Sequence, residues 1–449
     1  MNRPDLRELL PLGGEMAFRD FQLKYGKGAV SFKVPEEHIL YELRGKEVPP
    51  LADLRRAYRH ALDHPIDSPP LREIVKPGER VLVTVSDITR GWQRNDQVLP
   101  VLMETLNEAG IPDSNITIVI AVGAHRLNTE EEFVELCGKE ICHRIRVLNH
   151  DCWDTKNMVY LGKTSRGTEV SVNRLAVEAD RVILTGGVIY HYMAGYGGGR
   201  KSILPGLSSI KTIRQNHLLA MGPSLGSGSN PRAASGRTRG NEMHEDMMEI
   251  AGFAQPDFIV NTVPDLHGQI AGVFAGNWVS AWLDAVKLVD RIFGVEIEEE
   301  ADIVIATTGG YPKDINLYQT GKTMDNAYYA MKKGGVAIII AECQEISEPR
   351  EFFQWFEYPS LLEMEKGLRE NFTIAGWVAL KEMECNNKGS FILLTQRDNF
   401  ERVQNTRLTP VSTIDEALRL AHEKCGNKNP KITIMPQGGN TFPILRKQA

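Results

Sequence analysis

Short apolar runs alternate with amphipathic stretches through most of the chain, and that alternation sets the expected elements. Residues 22–45 predict an opening strand pair, with turn glycines in Lys24–Gly28 and two-residue alternation over Val30–Val34. Helical spacing over 50–63 ends in the segment Pro65–Pro70. A repeating unit follows: a strand at Arg80–Val85, a helix over 96–109, and a strand at Asn115–Ile120. Thr129 with Glu132 then has the spacing of a capping box opening a helix. Arg181–Thr185 and Phe258–Pro264 read as strands, Trp278–Phe293 as a helix, and 225–240, rich in Gly, Ser, Asn and Arg, as a long loop or lid. After the charged run Glu296–Glu300 the alternation restarts with strands at Asp302–Ala306, Gly335–Ile340, Ser390–Leu394 and Lys431–Met435, a helix over 320–332, and a close at Gly438–Thr441.

Strands and helices alternating at this length imply parallel sheets. The expected class is α/β, with two Rossmann-like, parallel-sheet domains and an active-site cleft between them. The expected boundaries are 1–295 for a domain with the cofactor and catalytic groups and 300–430 for a second α/β domain. The segment 431–449 is expected to pack back on the first.

Composition narrows the class of partner. A net charge of -6 lacks the basic field that nucleic acid requires. The longest apolar run, Val336–Ala341, is far too short for a membrane span, and residues 1–13 have no signal-like apolar core, so cytoplasm is the expected compartment. The six cysteines form no CxxC pair, and reduced thiols are the expectation.

Candidate chemistry sits at strand ends, where open α/β sheets place their ligands. Arg80–Val85 runs into Ser86-Asp87-Ile88-Thr89-Arg90, Asn115–Ile120 into Gly123-Ala124-His125-Arg126, and Arg181–Thr185 into Gly186, Gly187 and His191. From His191 the chain continues through Ala194, Gly195, Gly197, Gly198, Gly199, Arg200, Lys201 and Ser202. Glycines there expose backbone N–H groups suited to an anion, beside two cations. The spacing is not that of a phosphate-binding P-loop, and no GxGxxG fingerprint marks a dissociable nicotinamide. His125, His191 and His217 lie near polar or glycine-rich turns. Two of them could serve as alternating base and acid and a third as a metal ligand, or each could cap a helix or fill a polar crevice. His143 and His150 read as structural, and His244-Glu245 lacks the second histidine of a zinc-protease motif.

These segments together resemble the nickel-dependent lactate racemase family, closely over 80–330. The shared motifs are Ser86–Arg90, Gly123–Arg126, His191–Ser202, Asn216-His217, Gly309–Pro312 and Leu317–Lys322. The resemblance implies a nickel-pincer nucleotide, pyridinium-3,5-bisthiocarboxylic acid mononucleotide, joined covalently to Lys201, with His217 as the nickel ligand supplied by the chain. It also implies reversible removal of the C2 hydrogen of a 2-hydroxy acid as hydride, with His125 and His191 handling the hydroxyl proton. Asp87, Gly198, Gly199, Arg200 and Tyr318 are the further cofactor-binding candidates. Arg90, Gln319, Lys322 and Trp377 are the substrate-binding candidates, with binding of the cofactor phosphate as the alternative role for Arg90 and Lys322. Enzymes that make and insert the cofactor are the implied partners. Tyr192 and Met193 stand where lactate enzymes have two phenylalanines, which leaves the substrate open between lactate and larger relatives, including sugar acids. The competing classes are an NAD-dependent 2-hydroxy acid dehydrogenase and a non-catalytic binding protein for small acids.

Overall fold

The computed structural model describes residues 17–446. The reading of residues 1–13, and residues 447–449 of the terminal segment, lie outside them. The chain divides into two compact units. Of the described residues, one unit comprises 46–223 and 230–292, and the other 17–45, 224–229 and 293–446. Among the described residues no helix is long and apolar enough to cross a membrane.

The first unit is built on a six-stranded sheet in the order Ile270–Gly276, Phe258–Pro264, Arg181–Gly187, Val81–Ser86, Ile116–Ala121, Arg146–Asn149. All neighbours are parallel except the first pair. Both faces are covered, so the central strands are continuously apolar rather than alternating: every residue of Val81–Val85 is buried. The core joins these strands to the helices Leu54–Asp63 and Asn95–Glu108 through residues such as Tyr58, Leu62, Leu99 and Leu102. The expected capping box is present: Thr129 accepts from the Glu132 N–H and the Glu132 carboxylate accepts from the Thr129 N–H, opening the helix Glu130–Cys137. Strand order reverses between Val81–Ser86 and Arg181–Gly187, since one continues to Ile116–Ala121 and the other to Phe258–Pro264. A crevice opens at the carboxyl ends of strands at such a reversal, and both of these strands feed candidate site segments.

The second unit has a six-stranded, wholly parallel sheet in the order Thr409–Val411, Ser390–Leu394, Met331–Ile340, Ala301–Thr307, Ile432–Met435, Ile39–Glu42. Two expectations about boundaries are corrected here. Residues 17–45 belong to this unit rather than to a domain spanning 1–295. Ile39–Glu42 is the edge strand beside Ile432–Met435, and the hairpin Phe18–Tyr25/Gly28–Pro35 puts Phe21, Leu23, Phe32 and Val34 into this unit's core. The segment from 431 also stays in this unit. Ile432–Met435 lies inside the sheet, and Phe442–Leu445 pairs with Gly294–Ile297. Hydrogen bonding between strands some 390 residues apart decides this, and no local pattern announces it.

Candidate active site

The Val81–Ser86 strand delivers Asp87 as the cap of a short 3-10 turn, Ile88–Gln93. One Asp87 oxygen accepts from the Thr89 N–H at 2.8 Å and from the Thr89 hydroxyl at 2.5 Å, and the other lies 3.0 Å from Nδ1 of His125. Burial pushes the carboxyl up, but the His125 and Thr89 contacts outweigh it and hold Asp87 down at about 2. An ionised carboxylate only accepts, so His125 carries its proton on Nδ1 and presents the lone pair of Nε2. The His125 side chain is 44% exposed, against 8% for Asp87, so the imidazole is open to a ligand while its anchor is not. Arg90 donates to the Thr89 hydroxyl at 2.9 Å, which ties it to the same turn.

The Arg181–Gly187 strand leads into a small hairpin in which Tyr190 faces Tyr196 and His191 faces Gly195. Gly195 is required: its φ is +76°, and a Cβ there would stand 2.4 Å from the Arg237 carbonyl oxygen. In His191, Nδ1 accepts the backbone N–H groups of Met193 at 3.2 Å and Ala194 at 3.1 Å. Two donors on Nδ1 leave the ring proton of neutral His191 on Nε2, which lies 3.0 Å from the Lys201 amine. Burial and then the charges of Lys201, Arg90, Arg200 and His217 push His191 well below its usual value. Burial, Arg200 and Arg90 do the same to Lys201. That shift favours the nucleophilic amine over the ammonium at Lys201, and the His191 Nε2–H faces it. Tyr192 stacks on the His191 ring, with centroids 5.0 Å apart and planes 11° apart.

His217 lies on the helix Ile210–Leu218 and is buried. Its Nδ1 is 2.8 Å from the Ile213 carbonyl oxygen, an acceptor, so Nδ1 carries the proton and Nε2 the lone pair. Burial, reinforced by the Lys201 charge, pushes His217 down to about 3. The imidazole is therefore neutral and oriented as metal-bound histidines are, with the non-ligating nitrogen donating to a carbonyl. Among the described residues no three His, Cys, Asp or Glu side chains converge as a metal site.

Arg200 points inward. It is fully buried, donates to the carbonyls of Ala194, Gly197 and Gly198, and lies 4.4 Å above the Trp282 ring. Its donors brace the loop. The Gly199 N–H is likewise engaged, by Asn261 Oδ1 at 3.0 Å, whereas Gly198 is half-buried. Gly199, at φ +56°, has no room for a Cβ, which would stand 2.7 Å from the Trp282 ring. Trp282 also donates to the Gly197 carbonyl at 2.8 Å. Neither Trp282 nor Asn261 was legible as part of the site. Each lies on a separate element, the helix Ser280–Phe293 and the strand Phe258–Pro264, in an ordinary apolar pattern.

The structure thus gathers Asp87, Arg90, His125, His191, Lys201 and His217 in the first unit, and Arg90 acts electrostatically on both His191 and Lys201. Tyr318, Gln319 and Lys322 belong to the second unit, on the helix Leu317–Ala330, which Asn316 caps through the Gln319 N–H. Gln319 and Lys322, three residues apart, share a face of that helix. Tyr318 packs edge-on against Phe352, with centroids 5.3 Å apart. Trp377 is fully buried in the helix Ile374–Cys385, as a packed wall of this unit. His150 is structural, as expected: it is fully buried between the Ser208 carbonyl and the Asn173 amide.

Comparison with known proteins identifies the family and the fold. Residues 25–228 match the lactate racemase N-terminal domain and residues 297–442 the lactate racemase C-terminal domain. The chain is 33% identical over 428 residues to a lactate racemase of Thermoanaerobacterium thermosaccharolyticum, spanning 93% of this chain and 98% of that protein. It is 30% identical over 432 residues to a lactate racemase of Lactiplantibacillus plantarum, spanning 93% and 97%. The solved lactate racemase apoprotein from T. thermosaccharolyticum superposes with a TM-score of 0.84 at 32% identity, covering 95% of this chain and all of that one. A crystal structure of a Thermotoga maritima protein, at 16% identity and a TM-score of 0.62 over 89% of this chain and all of that one, shares the fold.

Proposed function

Because the chain belongs to the lactate racemase family, we infer that it is an isomerase that inverts C2 of a 2-hydroxy acid with a lysine-linked nickel-pincer nucleotide. The observation that carries this reading is the 3.0 Å contact between the Lys201 amine, whose ammonium form is disfavoured by burial, and His191, with His217 in the same electrostatic cluster. The residues fit the group. Lys201 is a nucleophilic amine able to form its covalent link, and His217 offers an oriented Nε2 to nickel, whose other donors come from the cofactor. When bound, this group accepts the C2 hydrogen as hydride and returns it to either face. Enzymes that build and insert it are the partners this reading requires.

The chain's own residues manage charge and protons. His125 and His191 rest in complementary states: Asp87 makes Nε2 of His125 an acceptor, and the Met193 and Ala194 N–H groups make Nε2 of His191 a donor. One takes the hydroxyl proton as the C2–H bond breaks, and the other gives a proton to the carbonyl oxygen on return, with roles exchanged for the other enantiomer. The Arg90 guanidinium provides a planar pair of donors for the substrate carboxylate, and Gln319 and Lys322 carry the substrate-binding role that their motif implies. The substrate is lactate or a larger, more polar relative, and the Tyr192 hydroxyl beside His191 favours the latter. The test is incubation of cofactor-loaded protein with single enantiomers of lactate, malate, phenyllactate and gluconate without NAD. Loss of optical purity without keto acid supports the isomerase. Keto acid formed only with added NAD would make it a dehydrogenase, and binding without conversion would make it a binding protein.

A further inference from the structure

A half-buried carboxylate with no place in the reaction above stands behind the His191 hairpin. Asp290 lies on the helix Ser280–Phe293, and one of its oxygens accepts hydrogen bonds from both Tyr190 and Tyr196, each at 2.7 Å. The two tyrosines are the cross-strand pair of that hairpin, next to the His191–Gly195 pair, and their rings are 5.3 Å apart. Strands of two residues cannot hold their own register, because an isolated hairpin is marginal even at full length. The hairpin therefore takes its position from outside. Two turns back on the same helix, Trp282 grips the next stretch of the loop through the Gly197 carbonyl and packs edge-on against Tyr196, with centroids 6.2 Å apart. One helix thus holds the chain on both sides of His191.

We infer that Asp290 is a positioning residue for His191, acting through the hydroxyls of Tyr190 and Tyr196. The inference rests on the reading of His191 as an acid–base group. The two hydroxyls meeting at one oxygen fix the hairpin's tilt, and with it the Met193 and Ala194 N–H groups that confine the His191 proton to Nε2. Burial raises the Asp290 carboxyl above its usual value, and the hydrogen bonds from Tyr196 and Tyr190 oppose that rise. The sequence places Asp290 among helical apolar positions 94 residues after Tyr196, with no motif to mark it.

The experiment has two readouts. The first is the ring nitrogen signals of 15N-histidine-labelled apoprotein, with His191 assigned by its loss in His191→Gln. The second is kcat and KM of the loaded enzyme. Asp290→Leu should shift the His191 signals away from a pure Nε2–H tautomer, leave those of His125 unmoved, and lower kcat by about 30-fold with KM within about twofold. Asp290→Asn, which keeps an acceptor oxygen, should restore most of both. Should Asp290→Leu fail to fold, Tyr190→Phe with Tyr196→Phe decides by the same readouts. His191 signals identical to the parent's, or an Asn variant as impaired as the Leu variant, would overturn the assignment. If the loaded parent racemises nothing, the functional reading fails, while the apoprotein signals still decide whether Asp290 positions His191.

Discussion

The Lys201 amine and Nε2 of His191 stand 3.0 Å apart, and backbone donors on Nδ1 make the imidazole the donor of that pair. Burial and the positive charge of Arg200 and Arg90 push Lys201 well below its usual value, toward the free amine. The same positive field attracts a carboxylate or phosphate.

Intact mass should show an adduct on protein produced together with the cofactor-making enzymes, located at Lys201 by peptide mapping. Lys201→Arg keeps a basic side chain but cannot form the same link, so it should show neither adduct nor racemisation while melting within a few degrees of the parent. Fully active protein with an unmodified Lys201 would refute the covalent assignment.

His217→Ala should lose nickel, from about one per chain to background by elemental analysis. The site lies on a helix end rather than in the strand core, so the fold should survive with a melting temperature lower by a few degrees, at about 2–4 °C per kcal/mol lost in a unit of this size. Nickel retained at the parent's level would remove His217 as a ligand.

A substrate deuterated at C2 should keep its label through inversion in ordinary water, because hydrogen that moves as hydride does not exchange with solvent. His125→Ala and His191→Ala should each lower kcat by about 10²–10⁴-fold. Rapid washout of the label during turnover would point to an exchanging base instead.

His244 offers a check on acid stability. It is buried, its ring stacks on Trp282 with centroids 5.4 Å apart, and its Nδ1 has no hydrogen-bond partner. Burial, helped by the Arg200 charge, pushes it down to about 3. The unfolded chain binds that proton near pH 6.5 and the folded chain does not, so stability is lost as pH falls from about 6.5 toward 3. His244→Phe keeps the stack and removes the titration. It should gain about 2 kcal/mol on the parent at pH 5 relative to their difference at pH 8, read from urea unfolding at both values. An unchanged difference between the two pH values would show that His244 is not held neutral by the fold.

The sequence by itself determined what short-range patterns can carry. Runs such as Val81–Val85 read as buried parallel strands, Thr129 with Glu132 read as a helix start, and the segments at strand ends carried Asp87, His125, His191 and Lys201 in recognisable order. Side-chain period and cap spacing are local, so they survive in one dimension. The tertiary structure alone decided which distant segments meet. Ile39–Glu42 joins a sheet through Ile432–Met435, Arg200 turns into its own loop, and Trp282 and Asp290 hold the His191 hairpin from a helix with an unremarkable pattern. It also decided proton placement. Whether Nδ1 of a histidine donates or accepts depends on the group opposite it, a carboxylate for His125, two backbone amides for His191 and a carbonyl for His217, and that neighbour exists only once the chain has closed.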